Sequence, residues 1–181
     1  MKPVLILSDN LVEISKLITA DTILITTCDI HLDKTVETIY LTDRTNDLEI
    51  KSKSVILNTD NSHKLIHLIS GTNLLQSIKE NSELIILVNS AKSVVGTICV
   101  SDQFESNVTG LNLVDDILVS NKNIDELVSH NPRVTGLSID SSSVVKILPG
   151  SIEVMFGSCT IISKKTSNNK LIIVPGCQFR I

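Results

Sequence analysis

Thr72 to Val88 reads TNLLQSIKENSELIILV, and it sets a helix directly against a strand. Leu74, Leu75 and Ile78 recur at helical spacing and Asn81 is a stop signal, so the pattern predicts a helix over 72–80. Glu83 to Val88 follows as a fully apolar strand. Ile117 to Ile139, ILVSNKNIDELVSHNPRVTGLSI, repeats the mixture. Strand Ile117–Ser120 precedes Asn123-Ile124-Asp125-Glu126. That run fits a capping box, in which a cap oxygen and a Glu three residues on each satisfy an orphan amide. Ile124, Leu127 and Val128 supply the helical face, Asn131-Pro132 ends it, and Val134–Ile139 is a second strand.

Working outward, Lys2–Leu7 reads as a buried strand bounded by Ser8-Asp9-Asn10. Leu11–Ile18 fits two patterns. Val12, Ile14 and Ile18 suit strand alternation, while Leu11, Ile14, Leu17 and Ile18 share a helical face, which the cap candidates Ser8 and Asp9 favour. Asp21–Thr27, Thr35–Thr42 and Leu48–Leu57 are expected strands, the last two joined by the polar turn Asp43–Asp47. From Val144 onward VVKIL, SIEVMF, CTIIS, LIIV and CQFRI alternate with turns at Pro149-Gly150, Gly157, Asn168-Asn169 and Pro175-Gly176. The final strand is expected to lean on the hairpin over 160–174. The expected fold is β-dominated α+β in one domain, 1–181. It comprises mixed strands with two or three short helices over 1–142 and an antiparallel β-meander over 143–181.

Composition agrees. The chain has 25 Ile, 17 Val and 15 Thr against two Ala, and β-branched side chains favour pleated surfaces whereas Ala favours helices. Net charge is −4 and aromatics make up 2%. The basic clusters, Lys51/Lys53 and Lys164-Lys165, do not form the stripe with stacking aromatics that nucleic-acid binders use. No apolar run approaches a membrane span or a signal peptide, so the cytoplasm or a virion is the expected location. V-T-G-L occurs at Val108 and again at Val134, with VVGT at Val94 a looser copy. The spacings are unequal, and close backbone approach at each glycine is the expected cause.

The chemistry is sparse. The seven glycines never occur as GxG, so neither a Walker loop nor a dinucleotide fingerprint is present. Cys28-x2-His31 with His63-x3-His67 has zinc-ligand chemistry. Against it, Cys28 and His31 lie in an expected strand, where positions three apart face oppositely, so no metal or cofactor is expected. A cysteine nucleophile would need Cys28 or Cys99 beside His130 or His31, and Cys99 within GTICV reads as a core thiol. The run from Val144 to Ile181 resembles the closing hairpins of cupin-like jelly rolls. Where that resemblance implies a metal-binding histidine, Cys177, Gln178 and Phe179 stand instead.

Two functions follow as expectations. The first is a non-catalytic structural or protein-interaction subunit, self-associating within a larger assembly such as a virion. Its interface would be the terminal strand Cys177, Gln178, Phe179, Arg180 and Ile181, with protein partners and neither nucleic acid nor membrane. The alternative is a small enzyme or ligand-binding domain. Its acidic and Asn-rich site would lie at strand ends, from Asp115, Asp116, Asn121, Asn123 and Asp140.

Overall fold

The longest apolar runs are strands buried on both faces, which is why they lack strict alternation. The computed structural model describes residues 3–32, 34–45, 47–100, 107–122, 124–163 and 170–181. The chain opens with β1 (Val4–Ser8), α1 (Leu11–Leu17), β2 (Thr22–Thr26), β3 (Glu37–Tyr40) and β4 (Ser54–Thr59). Helices α2 (Ser62–Ile69) and α3 (Asn73–Asn81) lead into β5 (Leu84–Asn89), followed by a 3₁₀ turn over Ser90–Val94. A ribbon of β6 (Ile98–Val100) and β7 (Asn107–Thr109) precedes β8 (Ile117–Val119), α4 (Ile124–His130) and β9 (Thr135–Ile139). The chain then runs through β10 (Val144–Leu148), β11 (Ser151–Phe156), β12 (Cys159–Ile162), β13 (Lys170–Ile173) and β14 (Gln178–Arg180).

The larger sheet has the order β14-β11-β10-β1-β5-β4-β2-β3. Strands β1, β5, β4, β2 and β3 are parallel neighbours, while β10, β11 and β14 extend the sheet antiparallel. A second sheet, β13-β12-β9-β8, has one parallel pair, β8 with β9. The fold is β-dominated α+β.

Period-two alternation sorts the large sheet's side chains between two cores. Leu5, Leu7, Val55, Leu57, Ile85 and Leu87 join Leu65 of α2, Ile78 of α3 and Leu137 and Ile161 of the second sheet. Ile6, Leu24, Ile56, Ile86 and Val88 face the opposite way, against Ile14 of α1. On the outer face of the second sheet, Leu118 and Ile162 pack with Ile124 and Val128 of α4.

Leu11–Leu17 is helical, capped by Asn10, whose side-chain oxygen accepts the Glu13 N–H. The Asn123 cap lies outside the described residues. Within the expected strand 48–57, only the part from Ser54 pairs. The backbone of Ile50 is instead tied to α3, its N–H donating to Ser77 Oγ and its carbonyl accepting from Ser77 Oγ and Asn81 Nδ2, each at 2.7 Å. Strands β3 and β4 form no hairpin, since both flank β2 in parallel. The C-terminal antiparallel strands are shared between two open sheets rather than closed as a jelly roll.

The last strand does not lean on the β12–β13 hairpin. It pairs with β11 at the edge of the large sheet, and Ile181 N–H donates to Gly150 O at 3.0 Å. Phe179 and Ile181 pack against the main core, while Cys177, Gln178 and Arg180 are exposed.

The V-T-G-L glycines are sites of close approach. A Cβ at Gly96 would stand 1.8 Å from Ile117 O, and one at Gly110 2.2 Å from Gly96 O. Gly136 lies between Leu118 and Ile162 beneath α4, and its Cβ would meet Val128 Cγ2 at 2.6 Å and Ile124 Cγ1 at 2.7 Å. Val128 has a stiff χ1, so the helix must shift to admit a methyl group. Gly136→Ala is expected to cost about 1–3 kcal/mol in urea unfolding. Val128→Ala in the same chain should recover part of that loss, whereas Gly96→Ala, which meets backbone, should cost more.

Candidate functional site

A cleft of about 380 Å³ lies outside the carboxyl ends of β1, β5, β4 and β8. Asp9 follows β1, Asp60 to Ser62 follow β4, Asn89 ends β5, and Ser120 and Asn121 follow β8. Ser90, Lys92 and Ser93 come from the 3₁₀ turn. Its lining is polar apart from Val100 and Val119.

The turn after β5 organises this cleft. Strand β5 is paired along both edges, and the chain then reverses into the 3₁₀ turn at Asn89, with φ 55° and ψ −133°. For a residue with a Cβ this conformation is strained, at about 1–3 kcal/mol, and persists only where its surroundings hold it. Asp9 provides the hold. One carboxylate oxygen accepts the Asn89 N–H at 2.7 Å, and the other pairs with Lys92 Nζ. The Lys92 side chain is only 8% exposed and that of Asp9 26%, so the ammonium depends on this partner far more than the carboxylate does.

An amide relay extends from the turn across the sheet. Asn89 Nδ2 donates to Asn58 Oδ1 at 2.7 Å, and Asn58, fully buried, donates to Thr26 Oγ1 at 2.9 Å. Asn58 Nδ2 also lies 3.3 Å from Cys28 Sγ. Thr26 Oγ1 donates in turn to the Cys28 carbonyl. Buried amides of this kind are tolerable only when satisfied, and a satisfied set fixes the geometry. On the other side Ser90 Oγ donates to Asp60 O at 3.1 Å, and Ser93 Oγ donates to Ser90 O at 2.8 Å.

Of the five strand-end candidates, Asn121 reaches this cleft, where its side-chain oxygen accepts the Ile139 N–H at 3.1 Å. Asn123 lies outside the described residues. Asp140 accepts Ser158 Oγ at 2.6 Å and braces the turn after β9, outside the lining. Asp115 and Asp116 stand at the opposite end of the sheet, at the amino end of β8, in a second hollow with Arg133, Leu148 and Ile181. The four described candidates do not form one site: strand β8 separates Asp115 and Asp116 from Asn121, and Asp140 lies in neither lining.

Cys28 lies beyond the end of β2 rather than within a strand, and His63 and His67 are on α2. Among the described residues no group of three or more His, Cys, Asp or Glu is placed to hold a metal. Cys99 and Cys159 are buried. Burial, with a smaller contribution from the Asp140 carboxylate, pushes the Cys159 thiol up to about 12. His130 Nδ1 sits 2.9 Å from the Glu126 carbonyl at the end of α4. No helix among the described residues is long and apolar enough to cross a membrane.

Asp9, Asn58, Asn89, Ser90 and Lys92 were not among the sequence candidates. The available signal was the abrupt change from ELIILV to Asn89-Ser90, which puts polar groups at the mouth of the most apolar strand.

No family model matches the chain, and no curated protein matches it in sequence. Among solved structures, the crystal structure of a peptidase from an acI-B1 Actinobacterium is similar over 100% of this chain and 98% of that one. The TM-score is 0.71 and the sequence identity 14%. At that identity the likeness is one of fold. The expectation of a non-catalytic structural subunit is corrected by this finding, since the structure that is similar over the whole chain is that of a peptidase.

Removing one member of the Asp9–Lys92 pair should be asymmetric. Asp9→Asn leaves a buried ammonium and is expected to cost about 3 kcal/mol in denaturant unfolding. Lys92→Met leaves a carboxylate that water can reach, and should cost less. At Asn89, where φ is positive, Gly should be more stable than Ala by about 1 kcal/mol, the reverse of the usual helix or strand order.

Proposed function

We propose that this chain is a small enzyme or ligand-binding domain whose cleft takes a short peptide or another small amide-bearing ligand. The carrying observation is the convergence of Asp60, Asn61, Asn89, Ser90, Ser120 and Asn121 on one cleft at the carboxyl ends of the strands. Open α/β sheets place their ligands there, and convergent polar groups in a concave site fix orientation. Asparagine side chains both donate and accept, as a peptide group requires of its partners.

Electrostatics narrows the ligand. Among the described lining residues the charged groups are Asp9, Asp60 and Lys92, and Asp9 and Lys92 neutralise each other. Asp60 is exposed and gives the cleft a net negative charge, which suits the ammonium end of a peptide. The likeness to a peptidase fold supports the same ligand class. The strained turn at Asn89 bears on whether the cleft is hydrolytic, since hydrolases of the α/β class carry their nucleophile on a strand-to-helix turn of this kind.

Thermal unfolding in the presence of pooled short peptides tests the proposal. A ligand at a hundred times its Kd contributes about 2.7 kcal/mol, or roughly 5–10 °C in Tm for a domain of this size. Asp60→Ala should weaken the binding about tenfold while leaving the unliganded Tm unchanged, since a charged hydrogen bond contributes about 1.5 kcal/mol. If no peptide moves the Tm and none is cleaved, the proposal fails.

A further inference from the structure

Three features compete as further sites: the hollow around Asp115 and Arg133, the exposed apolar edge of β13, and the strained turn at Asn89. The last carries the most. A strand-to-helix turn with positive φ lifts its central side chain clear of the sheet, which is how α/β hydrolases expose a nucleophilic hydroxyl or thiol. Here that central residue is Asn89, at the end of β5 and on the wall of the cleft. Its amide is not a nucleophile, and its Nδ2 is committed to Asn58 at 2.7 Å. The neighbouring hydroxyl does not substitute for it, because Ser90 Oγ donates to the Asp60 carbonyl and no histidine lines the described cleft.

We infer that the turn after β5 is a nucleophile elbow whose nucleophile position is filled by Asn89, so the cleft holds its ligand without acyl transfer to the turn. The inference rests on the ligand reading of the same cleft and decides between its two forms in favour of non-covalent binding. Asn89 then acts as a positioning residue. Its side chain is steadied by Asn58, and the carboxamide oxygen is left to accept from a peptide N–H.

Two measurements on the full chain test this. In the first, the wild-type protein is incubated with a fluorophosphonate probe and read by intact mass and peptide mapping. No adduct is expected, and phosphonylation of Ser90 or Ser93 overturns the inference. In the second, Asn89→Cys is introduced and treated with p-nitrophenyl acetate. A thioester forms at the introduced sulfur as the acyl C–O bond breaks, p-nitrophenolate leaves and the thiol proton passes to solvent. The introduced thiol should acylate about tenfold faster than the buried Cys99 and Cys159, which are shielded and, for Cys159, protonated. Acylation no faster than at Cys99 means that the turn does not present its side chain to the cleft, and the inference falls. Should Asn89→Cys fail to fold, Asn89→Gly against Asn89→Ala reads the same turn: Gly is expected to be the more stable, and equal stabilities overturn the inference.

The ligand reading fails separately. Rapid labelling of the Asn89→Cys variant at its new thiol, slowed by no Tm-raising peptide, would leave the elbow intact and remove its ligand.

Discussion

The arrangement of the cleft depends on the Asp9 carboxylate. It stands just past β1, and its two oxygens reach the backbone of Asn89 and the ammonium of Lys92. Strands β1 and β5 are hydrogen-bonded neighbours from Val4–Leu84 to Leu7–Leu87, so the ladder brings their ends level. The carboxylate converts that adjacency into a fixed turn. A charge-assisted bond to the strained N–H is stronger than a neutral one, and the buried lysine locks the carboxylate in place because burial leaves the ammonium dependent on it. The sheet therefore delivers the site, and one side chain defines it.

The core makes this rigidity possible. Strand β5 buries Ile85 and Leu87 on one face and Ile86 and Val88 on the other, and all four are fully buried. A strand held on both faces and by β1 and β4 along both edges cannot relax its register without moving every side chain to the wrong core. Strain at its last residue thus has nowhere to dissipate within the strand. The second sheet extends the same principle: α4 packs over Gly136, Leu118 and Ile162, and the loop between β8 and α4 carries Asn121 into the lining of the cleft.

How much of this was legible follows from what each residue touches. The run ELIILV announces a buried strand because burial on both faces needs only apolar residues, and Leu74, Leu75 and Ile78 announce α3 because their spacing is local. Residues 48–53 mislead for the opposite reason. Their alternation suits a strand, but the backbone of Ile50 finds its partners in Ser77 and Asn81, and nothing near it in sequence says so. The terminal strand chooses β11 over the nearer hairpin because the chain crosses between sheets after Phe156, and composition carries no trace of such a crossing. Asn121 was legible as a polar residue after a strand, whereas Asp115 and Asp116 precede that same strand, so chain order alone already set them at its other end.

Asn89 shows the limit most sharply, and also what its presence implies. Asparagine tolerates positive φ better than most residues, but glycine would relieve more of the strain at φ 55° and ψ −133°. A position selected for folding alone would tend towards glycine. The residue present instead keeps a side chain on a turn that penalises one, and joins that side chain to Asn58, which is buried and satisfied on both of its polar atoms. That network spans β5, β4 and β2 at one end of the sheet. Its effect is to hold a carboxamide in one orientation at the mouth of the cleft. Strain retained beside a fixed network and an open cavity is what the proposed binding role would require of this position.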